Sequence, residues 1–288
     1  MEKTQAVSQK KPWSPPEEMT DREFKRFAEF IQGSLGIKMP RSKKTMLESR
    51  LNKRLRSLQL SSYKDYREYV FSEEGRESEL PHLIDVVTTN KTEFFREASH
   101  FEFLANELLP HWTNRLQPGR LTAWSAGCST GEEPYSTAMT LAECLAEQAG
   151  WDFEVLGTDI SREVLDKAAR AVYREDTTKK VPWNLRSKYF MHSRDRKKKL
   201  MRIVPELRKK VHFRQLNFME HFSFREKMDL IFCRNVIIYF ERQVQEQLFD
   251  KLVRCLKQGG FLFIGHSETL SGMDLPLLQS KPTIYRKL

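Results

Sequence analysis

Hydrophobic residues follow two different spacings along the chain, and the change between them divides it. Up to about residue 88 they recur every three or four positions, which is the spacing of amphipathic helices. A capping box, Thr20-Asp-Arg-Glu23, predicts where the first helix begins, Ser62 predicts the start of a third, and a fourth is expected over residues 77–87. The predicted buried positions of the first three helices are Phe24, Phe27, Ile31 and Leu35, then Leu47, Leu51, Leu55 and Leu58, then Tyr63, Tyr66 and Val70.

Beyond residue 119, short apolar runs alternate with helical segments. This alternation is typical of an α/β fold with a doubly wound, mostly parallel sheet. Gly259-Gly260 is expected to end the last long helix. Strands are predicted at residues 121–126, 152–158, 211–216, 228–233 and 261–264, with a last edge strand at 283–285.

One stretch of the second half breaks the alternation. Residues 189–192 and 200–204 are short apolar runs on either side of a charged turn, which predicts an antiparallel hairpin inserted into the α/β domain at about 188–205. Surface insertions of this kind commonly serve a partner. The predicted organisation is a disordered tail at 1–18, a small all-α domain at 19–75, a linker at 76–90 and the α/β domain at 91–288.

The composition of the 288 residues permits a sizeable core, with 39% hydrophobic and 31% charged residues. It excludes collagen, low-complexity disorder and a disulfide scaffold, because the four cysteines show no C-x-x-C pairing. There is no apolar run of about eighteen residues that could span a bilayer and no secretory signal. A cytoplasmic protein is expected.

The formal net charge of +10 is unevenly distributed. Residues 41–56 hold seven basic residues and one acid, and residues 194–210 hold nine basic residues and two acids. The rest of the chain is therefore slightly acidic. From charge alone, the partner of these two basic patches could be nucleic acid, an anionic membrane or an acidic protein.

The most informative segment for chemistry is Ala126-Gly-Cys-Ser-Thr-Gly-Glu-Glu-Pro-Tyr135, a predicted strand, turn and helix. Gly127 and Gly131 let the backbone approach a ligand closely. Glu132 and Glu133 at the helix start would repel phosphates but attract a cation, so the pattern favours S-adenosylmethionine over a dinucleotide. Asp159, at the end of the next strand, is placed to accept hydrogen bonds from both ribose hydroxyls.

With these motifs, the chain resembles the CheR-type chemotaxis-receptor methyltransferases, in particular the enteric ones. The likeness covers nearly the whole chain beyond the tail. It implies transfer of a methyl group from S-adenosylmethionine to receptor glutamates, which gives glutamyl methyl esters and S-adenosylhomocysteine, without a metal. The resemblance is carried by five segments: Thr89-Asn-Lys-Thr-Glu-Phe-Phe-Arg96, residues 126–135, Gly157-Thr-Asp159, Asn217-Phe218 and Asp229-Leu-Ile-Phe-Cys-Arg-Asn-Val-Ile-Ile-Tyr-Phe240.

The resemblance also implies roles for individual residues around the cofactor. Arg96 and Tyr239 are expected to orient the glutamate that receives the methyl group. The residues expected to bind the cofactor are Asn90, Thr92 and Arg96 at its methionine end, Gly127 in the turn, Glu133 at its ammonium, Asp159 at its ribose, Asn217 and Phe218 at its adenine, and Asn235 and Val236 beside it. Six of these residues have a plainer alternative: a helix cap for Thr92, Glu133 or Asn217, a cap or turn for Asp159, a surface charge for Arg96 and core packing for Tyr239.

The resemblance offers an acidic protein as the partner of both basic patches. Arg50, Lys53 and Arg54 would dock against the glutamate-rich cytoplasmic helices of a receptor, and the inserted hairpin would add the receptor's C-terminal tail peptide as an edge strand. A monomer recruited to membrane receptor arrays is expected, with no nucleic acid bound and no insertion into the membrane. Two other readings stay open, a nucleic-acid methyltransferase with a basic docking surface and a non-catalytic adaptor for receptor tails.

Overall fold

The computed structural model describes residues 13–14 and 16–288, so most of the predicted tail at 1–18 lies outside the described residues. The chain divides into two compact units. The helical unit contains residues up to 33 together with 39–87, and the α/β unit contains 34–38 together with 88–288. Within the described part of the chain, no helix is long and apolar enough to cross a bilayer.

The helical unit confirms the predicted periodicity and caps. Its helices are α1 (Asp21–Leu35), α2 (Lys44–Leu58), α3 (Tyr63–Val70), α4 (Glu73–Ser78) and α5 (Leu80–Val87). The Thr20 hydroxyl accepts from the Glu23 amide at 3.2 Å, and the Ser62 hydroxyl accepts from the Asp65 amide at 3.0 Å. The predicted fourth helix is confirmed as α5, although it begins at Leu80, and the separate short helix α4, capped by Ser72, was missed. Much of the predicted linker at 76–90 is helical and belongs to this unit.

Two of the three proposed docking residues, Arg50 and Arg54, have partners inside the helical unit. Arg54 donates through Nε and Nη2 to the two carboxylate oxygens of Glu79 at 2.8 and 2.7 Å, and Glu79 is 2% exposed. Arg50 Nη1 donates to the last two carbonyls of α5, each at 3.0 Å. Lys53 is the exposed member of the three. The expectation that all three form a docking surface stays a prediction, in which Arg54 and Arg50 already serve a buried carboxylate and a helix C-terminus as partners.

The α/β unit contains ten strands. They are β1 (Arg120–Ala126), β2 (Asp152–Asp159), β3 (Val172–Arg174), β4 (Phe190–His192), β5 (Leu200–Ile203), β6 (Val211–Gln215), β7 (Met228–Cys233), β8 (Leu256–Ile264), β9 (Leu277–Lys281) and β10 (Ile284–Lys287). Its helices are α6 (Ala98–Phe103), α7 (Leu109–Arg115), α8 (Glu132–Leu145), α9 (Arg162–Arg170), α10 (Trp183–Tyr189), α11 (Pro205–Arg208) and α12 (Arg242–Cys255). This confirms the predicted class of fold.

The main sheet has seven strands in the order β6-β2-β1-β7-β8-β10-β9, and the first five are parallel. The final strand predicted near residue 284 is confirmed as β10, but its placement at the edge was wrong, because β10 lies between β8 and a strand that the sequence did not indicate, β9. Gly259 and Gly260 lie inside β8 and do not end α12. A Cβ on Gly260 would come within 2.8 Å of the Asp229 carbonyl, so glycine permits close approach where the β7–β8 register shifts.

The sheet is buried on both faces, as a parallel sheet with flanking helices requires. Along β7, Leu230 and Phe232 belong to one hydrophobic cluster, which also contains Trp112 and Tyr135. Ile231 and Cys233, which alternate with them, belong to a second cluster. The near-continuous apolar runs of the sequence are explained by these two cores.

A second, smaller sheet with the order β3-β5-β4 is inserted between α9 and α11, and all its pairs are antiparallel. Strands β4 and β5 are the predicted hairpin. The third strand, β3, was missed and begins at Val172, so the insertion starts earlier than residue 188. The ring of Phe94 packs edge-on against Tyr173 of β3 and Phe190 of β4, with centroids 4.8 and 5.4 Å apart.

Candidate active site

The predicted site residues converge where the order of strands reverses. The chain proceeds outward from β1 through β2 to β6 and then returns to place β7 on the other side of β1. Ligands of open α/β sheets bind at such a switch point, outside the carboxyl ends of the strands. The segments after β1, β2, β7 and β8 all lie at this edge and supply the side chains described next.

The turn after β1 is pressed against the segment after β7. Gly127 has a φ of +86°, and a Cβ added there would lie 2.5 Å from Cγ2 of Val236. The amides of Gly127 and Cys128 donate to the Thr158 carbonyl at 2.8 and 2.9 Å, which fixes the turn against β2. A residue with a side chain at 127 would both be strained and collide, so glycine is required here for a structural reason.

Asp159 ends β2 and is 8% exposed. One carboxylate oxygen accepts from the Ser129 amide at 2.9 Å, and the other accepts from the Ser161 amide at 3.0 Å. The alternative that Asp159 stabilises a turn is therefore confirmed. The carboxylate also stands at the edge where a ribose would bind, and that contact stays a prediction.

Glu133 lies in the first turn of α8 and is not the residue that caps it, since Gly131 precedes the helix. Its carboxylate accepts from the Ser125 hydroxyl at 2.6 Å and from Nε of Arg234 at 2.7 Å. Because Arg234 is 6% exposed, this is a buried ion pair. Glu133 thus faces a cation of the protein itself, and its expected contact with the cofactor's ammonium remains a prediction.

Arg234 has partners on several elements of the site and was missed as a functional residue. Its Nη1 donates to the Arg96 carbonyl at 2.6 Å and to Nδ1 of His100 at 3.1 Å, and lies 3.5 Å from Oε2 of Glu97. It therefore links α8, the segment at 90–97 and the end of β7. Its position directly after a buried strand at the switch point was the signal that could have drawn attention to it.

Glu97, His100 and His266 offer ligand atoms within 4.8 Å of one another, an arrangement that could hold a metal ion. The guanidinium of Arg234 lies among them and contacts both Glu97 and His100. Since a guanidinium only donates, Nδ1 of His100 is the acceptor and its Nε2 donates to the Thr283 hydroxyl at 2.8 Å. Both ring nitrogens are engaged, so the cluster is explained as an ion-pair network around Arg234.

This network predicts a dependence of stability on pH. Burial and the charge of Arg234 lower the pKa of His100 to about 3, so the ring is neutral in the folded chain. In the unfolded chain it takes up a proton below about pH 6.5, so acidification between these two values favours unfolding. Between about pH 7.5 and about pH 5.5, the wild-type chain should lose about 1.4 kcal/mol more unfolding free energy than His100→Gln. Urea unfolding at both pH values measures this, and equal losses would contradict it.

Residues 90–97 are anchored at several points to the α/β unit. The Ser129 hydroxyl donates to the Asn90 carbonyl at 2.9 Å, and the Phe95 amide donates to the Ser136 hydroxyl at 2.9 Å. Phe94 is 1% exposed, as expected for a segment that packs down. Thr92 and Arg96 are half-buried, and Nη1 of Arg96 donates to the Lys91 carbonyl at 3.1 Å.

Backbone strain is concentrated around this site. Among the described residues, eight other than glycine have a positive φ, and four of them are Phe95, Glu97, Ser129 and Asn235. Such conformations cost about 1–3 kcal/mol each and persist where surrounding contacts enforce them, which occurs often at functional sites. The strain marks the same three segments that carry the predicted cofactor residues.

Asn217 and Phe218 follow β6, beside the end of β2, since the Leu216 amide donates to the Asp159 carbonyl at 3.0 Å. Asn217 Oδ1 accepts from the Met219 amide at 3.0 Å, and its Nδ2 donates to the Ser34 carbonyl at 2.9 Å. The side chain thus closes a turn, which is close to the capping alternative. Contact with adenine stays a prediction for both residues.

After β7 the chain runs through Asn235 and Val236 into a 3₁₀ turn that ends at Tyr239. Nδ2 of Asn235 lies 3.4 Å from Oε1 of Glu97. Tyr239 is half-buried, and its carbonyl accepts from the Lys38 amide at 2.7 Å. Glu268, from the loop after β8, holds this segment through its carboxylate and was also missed by sequence reasoning.

The site is rich in buried negative charge. The carboxylates of Glu132, Glu133, Asp159 and Glu268 are at most 8% exposed, against one comparably buried guanidinium among the described residues of the site, Arg234. Burial raises the pKa of both Glu132 and Glu268. A surplus of carboxylates at this edge suits a cationic ligand and disfavours a phosphate.

The cysteines near the site do not provide a nucleophile. Cys128 and Cys233 are free and buried, and burial is the main cause that raises the pKa of each thiol well above its usual value. A thiol held protonated is a poor nucleophile. Both serve as small packing residues in the interior.

Comparison with known families decides the relationship that the motifs suggested. Residues 90–285 match the family described as "CheR methyltransferase, SAM binding domain", and residues 22–88 match "CheR methyltransferase, all-alpha domain". The chain belongs to the CheR methyltransferase family. The α/β unit is thus an S-adenosylmethionine-binding domain, and the border between the two matched ranges falls at the border between the two compact units.

Several named relatives cover nearly the whole CheR chain. A chemotaxis protein methyltransferase of Borreliella burgdorferi is 39% identical over 93% of this chain and 95% of its own length. The chemotaxis protein methyltransferase of Escherichia coli is 37% identical, over 93% of this chain and 91% of its own. That of Salmonella typhimurium is 36% identical over 93% and 90%. The resemblance to enteric enzymes that the motifs indicated therefore corresponds to 36–37% sequence identity with these two enteric proteins.

Proposed function

We propose that this CheR-family chain methylates glutamate side chains of bacterial chemoreceptors, with S-adenosylmethionine as the methyl donor. The observation that carries the proposal is the switch-point site, where buried carboxylates, strained turns and the S-adenosylmethionine-binding family domain coincide. The named relatives are chemotaxis protein methyltransferases over nearly their full length, which supports a receptor of chemotaxis as the substrate. The products would be glutamyl methyl esters and S-adenosylhomocysteine.

The residues at the switch point fit the parts of this cofactor. Asp159 would bind the ribose, the negative charge around Glu133 suits the ammonium group, and the closely packed pair of Gly127 and Val236 would form one wall. Asn90, Thr92 and Asn235 would face the methionine end, and Asn217 and Phe218 the adenine. When bound, the cofactor supplies an electrophilic methyl group on a positively charged sulfur.

The methyl transfer requires of the protein little more than alignment of the two reactants. A glutamate with a pKa near about 4.3 is already ionised at neutral pH, so no strong general base is needed. The chain must hold the carboxylate in line with the methyl group and exclude water, and well-oriented reactants gain most of their rate this way. We assign the orientation of the carboxylate to the Arg96 guanidinium and the Tyr239 phenol. No metal is part of this proposal.

Replacing Arg96 with alanine tests that assignment. Because Arg234 binds the main-chain carbonyl of residue 96, the Arg96→Ala variant keeps the buried network intact. We expect kcat to fall by about 10- to 100-fold, since misplacement of a reactant by about 1 Å has effects of this size, while cofactor affinity changes by less than about threefold. Steady-state kinetics and calorimetric titration with S-adenosylhomocysteine give the two values. Unchanged kcat would remove Arg96 from this role, and Arg254→Ala, on the exposed face of α12, is the matched control.

Receptor docking is proposed for two surfaces, each considered by itself. On the helical unit, the exposed basic residues of α2, with Lys53 in place of the internally paired Arg54, suit glutamate-rich receptor helices. On the α/β unit, the small inserted sheet has two open edges, β3 and β4, and the turn before β5 is strongly basic. An extended acidic tail peptide could add there as a further strand. The enzyme would act as a monomer in the cytoplasm, tethered to receptor arrays.

One labelling experiment tests the whole proposal. The protein is incubated with methyl-labelled S-adenosylmethionine and membranes that contain chemoreceptors, with or without the receptors' C-terminal tails. Base-labile label on the receptor supports a methyl ester, and slower labelling without the tail supports docking of the tail. Label on added transfer RNA would favour a nucleic-acid methyltransferase, and binding of the cofactor without any transfer would favour an adaptor.

A further inference from the structure

We propose that Glu268 is a positioning residue that holds the segment after β7 in the shape that binds the methyl donor. Glu268 lies in the loop after β8, and the ends of β7 and β8 are paired through Cys233 and Ile264. It is therefore brought to the switch point by the neighbouring strand. The inference rests on the proposed function, because Asn235, Val236 and Tyr239 are placed at the cofactor there.

The carboxylate of Glu268 accepts four main-chain hydrogen bonds. Oε1 accepts from the amides of Val236 and Ile237 at 3.0 and 3.1 Å. Oε2 accepts from the amides of Asn235 and Gly265 at 3.0 and 2.6 Å. Three of the four donors are the consecutive residues 235–237, which follow the end of β7 after one intervening residue, so one side chain satisfies three successive amides at the start of the turn.

The start of this turn combines a strained residue with main-chain amides that need an acceptor. Asn235 has a φ of +59°, a conformation that is costly for a residue with a side chain. The 3₁₀ turn that follows begins at Val236, whose side chain makes no capping hydrogen bond. The first amides of such a turn have no acceptor within the turn itself, and here the carboxylate of Glu268 accepts from them.

The contacts of Gly265 show that the fit is tight. A Cβ at this position would come within 2.9 Å of the Asn235 amide nitrogen and 2.8 Å of Oε2 of Glu268. The two loops therefore meet backbone to backbone, with the carboxylate beside the junction. The same turn presses Val236 against Gly127 in the segment after β1. Displacement of the turn would open the wall between Gly127 and Val236.

Glu268→Gln tests the proposal because it preserves shape but not acceptor number. Each carboxylate oxygen accepts two amides, so whichever oxygen becomes the NH₂ group, two donors lose their acceptor and face a third donor. We expect affinity for S-adenosylhomocysteine, measured by calorimetry, to fall by at least about tenfold. We also expect faster hydrogen exchange at the amides of residues 235–237 and 265, while β7 and β8 stay protected.

A control separates this role from a general loss of stability. Glu79→Gln neutralises an equally buried carboxylate in the helical unit, where it accepts from Arg54 and Tyr66. It should lower the unfolding free energy but leave affinity for S-adenosylhomocysteine unchanged. Glu268→Asp, which keeps the charge with one methylene fewer, is measured in parallel and should bind between wild type and the glutamine variant.

The outcomes are distinct. Wild-type affinity in either folded Glu268 variant overturns the proposal, and so does faster exchange at 235–237 without weaker binding. If Glu268→Gln does not fold, the aspartate variant decides by the same two measurements. Failure of the proposed function would be seen separately, as wild-type protein that binds S-adenosylhomocysteine but does not label receptors.

Discussion

Replacing Arg234 with methionine is expected to lower the free energy of unfolding by about 3–5 kcal/mol, the range for removing one partner of a buried ion pair. Methionine has a similar length, so the loss comes mainly from charge and hydrogen bonds. It leaves Glu133 with a buried carboxylate oxygen and no cation beside it, and it leaves the Arg96 carbonyl without its donor. The change also removes the side chain that joins Glu133 of α8 to Arg96 and His100.

Urea unfolding of the full chain measures this effect. Arg254→Met is the matched control, because Arg254 pairs with Asp250 on the exposed face of α12 and its side chain is 77% exposed. Exposed pairs of this type contribute little to stability, so its unfolding midpoint should stay at the wild-type value. Equal midpoints for the Arg234 variant and the control would show that the buried network is not a source of stability.

Replacing Gly127 with alanine is expected to weaken binding of S-adenosylhomocysteine by about 100-fold. Alanine at a φ of +86° is strained, and its Cβ would overlap Cγ2 of Val236 at 2.5 Å. The left-handed conformation costs about 1–2 kcal/mol and overpacking about 1–3 kcal/mol. The turn would relieve this strain by moving away from Val236, and binding of the cofactor would have to restore it.

Calorimetric titration with S-adenosylhomocysteine gives the affinity, and Gly119→Ala is the control in the same unit. A Cβ on Gly119 would meet its nearest atom, the Gln117 carbonyl oxygen, at 4.0 Å, so ordinary contact results. That variant should bind as tightly as wild type. If Gly127→Ala also bound normally, the turn after β1 would not form a wall of the cofactor site.

The fold was predictable from the sequence wherever a segment is long enough to show its period. Helices α1 to α3 and strands β1, β2 and β7 lie close to their predicted ranges. The hydroxyls that cap α1 and α3 are those of the predicted Thr20 and Ser62. Strand β3 has three residues and β9 is largely exposed, so neither shows an apolar repeat. Their pairing is decided by neighbouring strands.

For the candidate site, the sequence indicated residues at or just beyond the end of a strand, such as Gly127, Asp159 and Asn235. It did not indicate Glu97, His100 or Glu268 as their partners. These side chains meet residues far away in sequence: Arg234 reaches Glu133 across 101 positions and His100 across 134. The spacing of hydrophobic residues cannot predict such pairs, because it indicates only which face of a helix or strand is apolar.

The charge pattern shows the same division between sequence and structure. The sequence by itself determined the α/β class, the helical first unit, the two basic segments and the motifs of a methyltransferase. Only the tertiary structure decided that Arg50 and Arg54 are held by a helix end and a buried carboxylate, whereas Lys53 is exposed. The physical reason is that the groups around a charged side chain decide whether it pairs within the protein or can bind a ligand. Those groups come together only when segments distant in sequence pack against one another.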